Sequence, residues 1–332
     1  MCDLRMGRIL PVGAATMDTE QRDGLISKIA RLYYLEELNQ KAISEKLNIS
    51  LATVSRNLTR AKERGIVEIV IHDTRADESE LEVGIEKQFR LKECVVTHSF
   101  EKRENTLRDM GQVVGEVLSR VLHPGDTFGV SWGETLRAVA DNLAVDRPRD
   151  VNVIPIIGAM GEVETGIYPN AIAASFAQKL GGKNYLINAP AVLDSEEIRD
   201  SIERDRNFAG VRAWWNQLTA AIVSVSSVED DTSVSRYQVF TTRELGQLRQ
   251  FGVACATNFN FVDANGVSVT TEIDRRMIKM NLDELRAIRN VILVACGEEK
   301  VAPIRAALSA GFADILVVDR DTAHAVLHPP AR

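Results

Sequence analysis

Apolar positions in residues 42–61 recur three and four apart, the spacing of one helical face. Ala42, Ile43 and Leu47 make one such face, and Val54, Leu58 and Ala61 make a second. Between them, Asn48 tolerates the left-handed backbone that ends a helix, Ile49 is an apolar plug, and Ser50 is a good N-cap. Gly65 then offers a helix stop, and the run IVEIVI at 66–71 alternates like a strand exposed on one face. The pattern predicts helix, tight turn, helix and strand, the layout of a helix-turn-helix DNA reader with a wing.

Beyond residue 75 the pattern changes. A helical stretch, ESELEVGIEKQFRL, puts Leu81, Ile85 and Phe89 at i, i+4 and i+8, a face that can seat on a partner or on the chain's own sheet. Strand-like runs follow: ECVVTHS, DTFGVSW, VNVIPIIG, NYLINAP, AAIVSVSSV, VILVACG and DILVVD. They alternate with helical runs such as TLRDMGQVVGEVLSRVL, TLRAVADNL, NAIAASFAQKLG and SEEIRDSIERD. Continuous Val/Ile runs between helices predict an α/β domain with a parallel sheet covered on both faces.

At 332 residues the chain exceeds what one core usually organises. We read residues 1–21 as a poorly ordered leader, 22–74 as the DNA reader and 75–332 as a separate effector and oligomerisation domain. No apolar run is long enough to span a bilayer. Cys2, Cys94, Cys255 and Cys296 are scattered and form no CxxC pair, which argues for reduced thiols in a cytoplasmic protein. The five histidines, including His98 and His123, show no metal-binding spacing, so neither a metal nor a cofactor is implied.

Charge sharpens the reading of the first domain. Residues 37–64 hold six Lys/Arg against three Asp/Glu, a net of +3, in a chain whose net charge is −7. Such a local cationic face suits phosphate contact. The helix opening at Ser50 would enter the major groove by its N-terminal turns. Thr53, Ser55 and Arg56 are placed to meet bases or phosphates; Arg60, Lys62 and Arg64 suit phosphates, and Ser50 can both cap and contact. Gln40 and Leu51 complete the candidate DNA contacts.

In open α/β sheets ligands bind beyond the carboxyl ends of strands, where loops lead into helix N-termini. Three loops fit. The first, Gly129 to Thr135, offers free N–H groups and the Ser131 and Thr135 hydroxyls to an anion. The second contains Gly158 and Gly161, with Asn170 at the next helix start. The third, Ala295 to Lys300, ends in a lysine that is either solvated or a cation for the ligand. Glu134 works against a phosphate unless it points to solvent or bonds a sugar hydroxyl. Trp132 is suited to stack on a sugar face or to pack in the core, and Trp214 and Trp215 to core or interface packing.

Five stretches in order carry a resemblance across almost the whole chain. They are YYLEELNQKAISEKLNISLATVSRNLTRAKERGIVEI, GVSWGETL, VIPIIGAMG with NAIAASFA, GVACATNFNFVDANG, and CGEEKVAPIRAALSAGFADILVVD. The chain resembles the SorC family of bacterial transcriptional regulators, the DeoR-like sugar-binding regulators. The resemblance implies a winged helix-turn-helix joined to a domain with the fold of ribose-5-phosphate isomerase and glucosamine-6-phosphate deaminase. It also implies tetramers, pseudo-palindromic DNA operators and control by a phosphorylated sugar or related metabolite. By motif, Ser131, Gly133 and Thr135 match phosphate-loop positions, Asn170 the polar residue opening the next helix, Asp263 the DANG loop, and Lys300 a lysine facing the effector. Glu134, and Glu162 and Glu164 in a GAMGEVE segment without arginine, depart from the pattern. They put a sugar bisphosphate in doubt and leave a monophosphate, a polyol or a neutral sugar open.

The competing reading is an isomerase- or deaminase-like enzyme with an N-terminal helical hairpin. It needs an acid/base pair near the sugar, and Asp263 is the single carboxylate we would consider as a base. A third reading is a protein–protein adaptor with a degenerate pocket. The expectation is a regulator without catalysis.

Overall fold

The computed structural model describes residues 14–67, 76–160, 167–229, 237 and 239–329. The chain divides into two compact units, Met1–Thr74 and Arg75–Arg332.

Among its described residues the first unit contains three helices, α1 (Ala14–Tyr34), α2 (Gln40–Leu47) and α3 (Leu51–Glu63). Helix α1 begins inside the stretch read as a leader, taking in residues 14–21. A helix whose later turns bury Ile26, Ile29, Ala30 and Leu32 extends at little cost, because nucleation is already complete. The α2–α3 turn follows the local chemistry. Asn48 has φ 52° and ψ 48°, left-handed as anticipated. Ser50 Oγ accepts from Thr53 N at 3.1 Å and caps α3. Ile43, Val54 and Leu58 form the core with Ile29 and Leu32, and Ile49 packs against it. Beyond Val67, the strand expected over 66–71 lies outside the described residues.

In the second unit, helix α4 (Ala76–Phe89) leads into β1 (Glu93–Thr97) and α5 (Arg103–Val121). Next come β2 (Thr127–Val130), α6 (Glu134–Asp141), β3 (Asn152–Pro155), α7 (Pro169–Leu180) and β4 (Lys183–Asn184). Helices α8 (Glu196–Arg204) and α9 (Arg206–Trp215) precede β5 (Leu218–Val223), α10 (Thr242–Gln250), β6 (Val253–Thr257) and β7 (Asn260–Asp263). Two short helices, α11 (Glu272–Arg275) and α12 (Leu282–Arg286), lead to β8 (Asn290–Ala295), α13 (Val301–Ser309), β9 (Ile315–Asp319) and α14 (Arg320–Leu327).

Seven strands form one parallel sheet in the order β1-β9-β8-β5-β2-β3-β4, and β6 and β7 form a separate antiparallel hairpin. Side chains of β8 alternate between the two faces. Ile292 and Val294 join a core with α5, α6 and α7, while Val291 and Leu293 join one with α4, α13 and α14. Both faces are buried, which is why these strands read as unbroken apolar runs. Leu81 and Ile85 of α4 are buried in the second core, so that helix seats on the chain's own sheet.

The strand expected over NYLINAP is reduced to Lys183–Asn184, at the sheet edge. After Tyr185 the segment is held by the Asn170 side chain at Ile187 and by an isolated backbone bridge of Ala159 to Ala189 and Ala191. Trp215 is buried with its Nε1 donating to Pro155 O at 2.9 Å, and the Trp214 ring lies on Tyr185. Among the described residues, no helix is long and apolar enough to cross a membrane, and no group of three or more His, Cys, Asp or Glu is placed to hold a metal. Cys94, Cys255 and Cys296 are buried and free.

Candidate functional site

In the first unit the functional surface is the polar face of α3. Val54, Leu58 and Ala61 are buried, which turns Leu51, Ser55, Arg56, Arg60 and Lys62 outward. Arg56 Nε donates to Ala52 O at 3.2 Å, so the guanidinium is steered along the helix toward its N-terminal end. Ser50 and Thr53 share a hydroxyl contact of 2.8 Å, and Gln40 opens α2. Buried Asn57 bonds Thr53 O and belongs to the helix rather than to its outer face.

In the second unit the order in which strands are added reverses at β2. The chain steps from β2 to β3 and β4 on one side, then returns to β5, β8 and β9 on the other. Such a switch point opens a crevice beyond the carboxyl ends of the two diverging strands. A narrow cleft occupies it, lined by the loop after β2, by Ser224 and Ser226 after β5, by Asn258 and Phe259, and by Lys300.

The loop after β2 turns at Gly133, whose φ of 117° an L side chain rarely adopts. Helix α6 opens there without a side-chain cap, and its first two residues, Glu134 and Thr135, line the cleft. Lys300 reaches across and donates from Nζ to Thr135 Oγ1 at 2.8 Å, and its Nζ stands 3.5 Å from Ser224 Oγ. Burial of the ammonium, reinforced by the nearby Arg103 guanidinium, lowers Lys300 to about 8. Arg103 itself is bonded to Glu299 at 2.6 Å. Against the burial that would raise it, this bond holds the Glu299 carboxyl below its ordinary value. Burial raises the thiols of Cys255 and Cys296 beside Lys300, which keeps them protonated and unreactive.

Glu134 lines the cleft as well, and the Tyr237 hydroxyl donates to its Oε1 at 2.8 Å. Trp132 is almost wholly buried against Phe259, with ring centroids 4.9 Å apart, and still forms part of the wall. Ser131 is buried behind the lining, where its Oγ donates to Asn258 Oδ1 at 2.9 Å. Asn258 Nδ2 in turn bonds the carbonyls of Ile156 and Met280, so one side chain ties the β2 loop to the hairpin tip and to the end of β3.

Asn170, Asp263 and Gly158 are not among the residues that line this cleft. Asn170 spends both ends of its amide on the Ile187 backbone at 3.0 Å and so fixes the chain after β4. Asp263 closes the hairpin's far turn, its Oδ1 accepting from Asn265 N and Val267 N at 2.8 Å. Gly158 lets two backbones pass, since a Cβ there would stand 2.7 Å from Ala191 N and Pro190 C. Gly161, Glu162 and Glu164 lie outside the described residues. Conversely, Ser224, Ser226, Asn258, Phe259 and Tyr237 were not anticipated. The one available signal was ATNFN within GVACATNFNFVDANG: two asparagines flanking a phenylalanine at a hairpin tip, with Asn258 at φ 47° and Phe259 at φ 55°.

Comparison with known proteins agrees with both halves. The Sugar-bind family profile, describing a sugar-binding domain, matches residues 74–328, and the profile of Sigma-70, region 4 matches residues 31–64. The sorbitol operon regulator of Klebsiella pneumoniae is 33% identical over 306 residues, 91% of this chain and 97% of that protein. The deoxyribonucleoside regulator of Bacillus subtilis is 30% identical over 313 residues, 94% of this chain and 99% of that protein. The crystal structure of the full-length Klebsiella regulator aligns with a TM-score of 0.72, covering 93% of this chain and 99% of that one.

Proposed function

The chain belongs to the SorC/DeoR-like family of sugar-binding transcriptional regulators, and from that premise we propose how its two units divide the work. It is a sugar-responsive DNA-binding regulator. Helix α3 reads the operator, with Ser50, Leu51, Thr53, Ser55 and Arg56 toward the bases and adjoining phosphates, and Arg60 and Lys62 on the backbone. Exposed Leu51 offers an apolar contact of the kind thymine methyl groups accept.

The effector binds in the switch-point cleft, against Trp132, Gly133, Glu134, Thr135, Ser224 and Lys300. The observation that carries this reading is the inward-turned Lys300, held on Thr135 at the open N-terminus of α6. The chain acts by binding, without turnover, in the cytoplasm. It works as a dimer or tetramer on a pseudo-palindromic operator, because one helix-turn-helix gains too little free energy to select a site in a genome. Ligand occupancy changes subunit packing and thereby operator affinity.

Gel-shift titration of the full chain on its operator, with and without sugars, polyols and their phosphates, tests the reading. Effector-dependent affinity is expected, with no consumption of the ligand. Light scattering that shows a monomer at micromolar concentration with full operator affinity removes the oligomeric part.

A further inference from the structure

We propose that His324 and His328 form a two-imidazole clip for a divalent transition ion of the zinc, nickel or copper class, on the seam between α14 and α4. The clip shares no residue with the cleft and does not depend on how the cleft is read.

The spacing is a product of the helix. Residues four apart in a helix stand one above the other on one face. His328 is the C-cap of α14, and its backbone N–H bonds His324 O at 2.8 Å, so the two positions keep that relation. A His-x3-His pair becomes a metal-ligand spacing only once its segment is helical, which is why the chain read as sequence gave no sign of it.

The rings meet as two ligands of one ion would. Their centroids are 5.0 Å apart and their planes are tilted by 56°, so they are not stacked flat. An ion about 2.1 Å from one nitrogen of each ring, at an angle between square and tetrahedral, sets the centroids about 4.6–5.3 Å apart. The nitrogens are also available. Both residues are exposed, and neither ring bonds a protein group among the described residues. His98 and His123 differ, each a single imidazole 3.6 Å from a carboxylate, that of Asp109 or Asp126.

The surroundings favour a cation. The groove between the two helices is lined by both histidines and by Asp77, Glu80 and Asp321. Asp77 is bonded to Arg320 at 2.8 Å, while Glu80 and Asp321 are unpaired among the described residues. Their field draws in a divalent ion. The imidazoles select its class, because nitrogen donors suit zinc, nickel and copper, whereas calcium and magnesium take oxygen. Among the described residues no third His, Cys, Asp or Glu is placed as a ligand, so water fills the remaining positions and the site is open and exchangeable.

Calorimetry on the full chain with zinc chloride, nickel chloride and magnesium chloride tests the clip. Zinc and nickel should bind and magnesium should not. His324→Ala and His328→Ala should each weaken zinc about tenfold or more, because each leaves a lone imidazole. His98→Ala and His123→Ala should leave the isotherm unchanged. Circular dichroism checks that the variants fold, and His324→Gln and His328→Gln serve in place of an alanine variant that does not. Zinc binding that ignores both α14 substitutions, that depends on only one of them, or that is lost in His98→Ala or His123→Ala instead overturns the inference. So does the absence of zinc and nickel binding at submillimolar metal.

Discussion

Lys300 and Thr135, 165 positions apart in the chain, meet at 2.8 Å across the mouth of the cleft, the ammonium donating to the hydroxyl. The contact joins the turn after β8 to the first turn of α6, and so ties together the loops on both sides of the switch point. Removing either partner should disturb ligand binding without touching α3. Thr135→Val and Lys300→Ala are each expected to weaken the effector by about 1–3 kcal/mol, the usual range for a lost charged hydrogen bond. Operator affinity without effector should stay unchanged, as read by calorimetry and gel shift on the same preparations.

The lowered pKa of Lys300 has a stability consequence with a definite sign. The group binds its proton up to about pH 8 when folded and to about 10.5 when unfolded. Between those values the unfolded state holds more protons, so folding stability gains with rising pH, by at most about 1.4 kcal/mol per pH unit from this group. Below pH 8 the buried charge is a standing cost. Lys300→Met should therefore be more stable than wild type at pH 7, with the difference shrinking toward pH 10. Urea denaturation at pH 7, 8, 9 and 10 measures the gap, and a constant gap would contradict the assignment.

Arg56 stands on the exposed face of α3 and is steered by its bond to Ala52 O. Arg56→Ala is expected to cost about 1–3 kcal/mol per subunit in specific operator binding while leaving the thermal transition in place. Ser50→Ala removes a cap as well as a contact. It should lower the stability of the first unit by about 1 kcal/mol in addition to weakening DNA binding. Gel shifts at fixed salt, paired with circular dichroism melts, separate the two effects.

Asn258 is buried, left-handed and bonded through both ends of its amide. Asn258→Gly relieves the backbone requirement but loses the bonds to Ser131, Ile156 and Met280. A loss of about 2–3 kcal/mol is expected. Asn258→Ala adds left-handed strain of about 1 kcal/mol and should be worse than glycine. Denaturant midpoints that rank alanine above glycine would refute the backbone part of the account.

Gly158→Ala places a Cβ 2.7 Å from the backbone of Pro190 and Ala191. Because a backbone neighbour cannot swing aside, a destabilisation of about 1–3 kcal/mol is expected. Gly133→Ala meets open space and is opposed by φ alone. It should cost about 1–3 kcal/mol of stability through the backbone alone and, in addition, lose effector affinity. Comparing the two melts with the two binding isotherms distinguishes a packing glycine from a site glycine.

What the amino-acid order determined by itself is local. The left-handed Asn48, the Ser50 cap and the buried stripe of Val54, Leu58 and Ala61 depend on neighbours within a few residues. The parallel sheet was legible because its strands are buried on both faces and read as apolar runs. The loops at the strand ends could be found, and with them Gly133, Thr135 and Lys300. Which polar side chains actually face the cleft was decided only by the tertiary structure. Asn170 and Asp263, read as ligand contacts, bond the backbone of Ile187 and that of Asn265 and Val267 and do not line this cleft. Ser224 and Tyr237 looked like nothing in particular, yet strand order brings them to Lys300 and Glu134 across 76 and 103 residues. Helical and strand periods fix which face of an element is buried. They carry no information on which element lies beside it, and a site at a switch point is made of just those adjacencies.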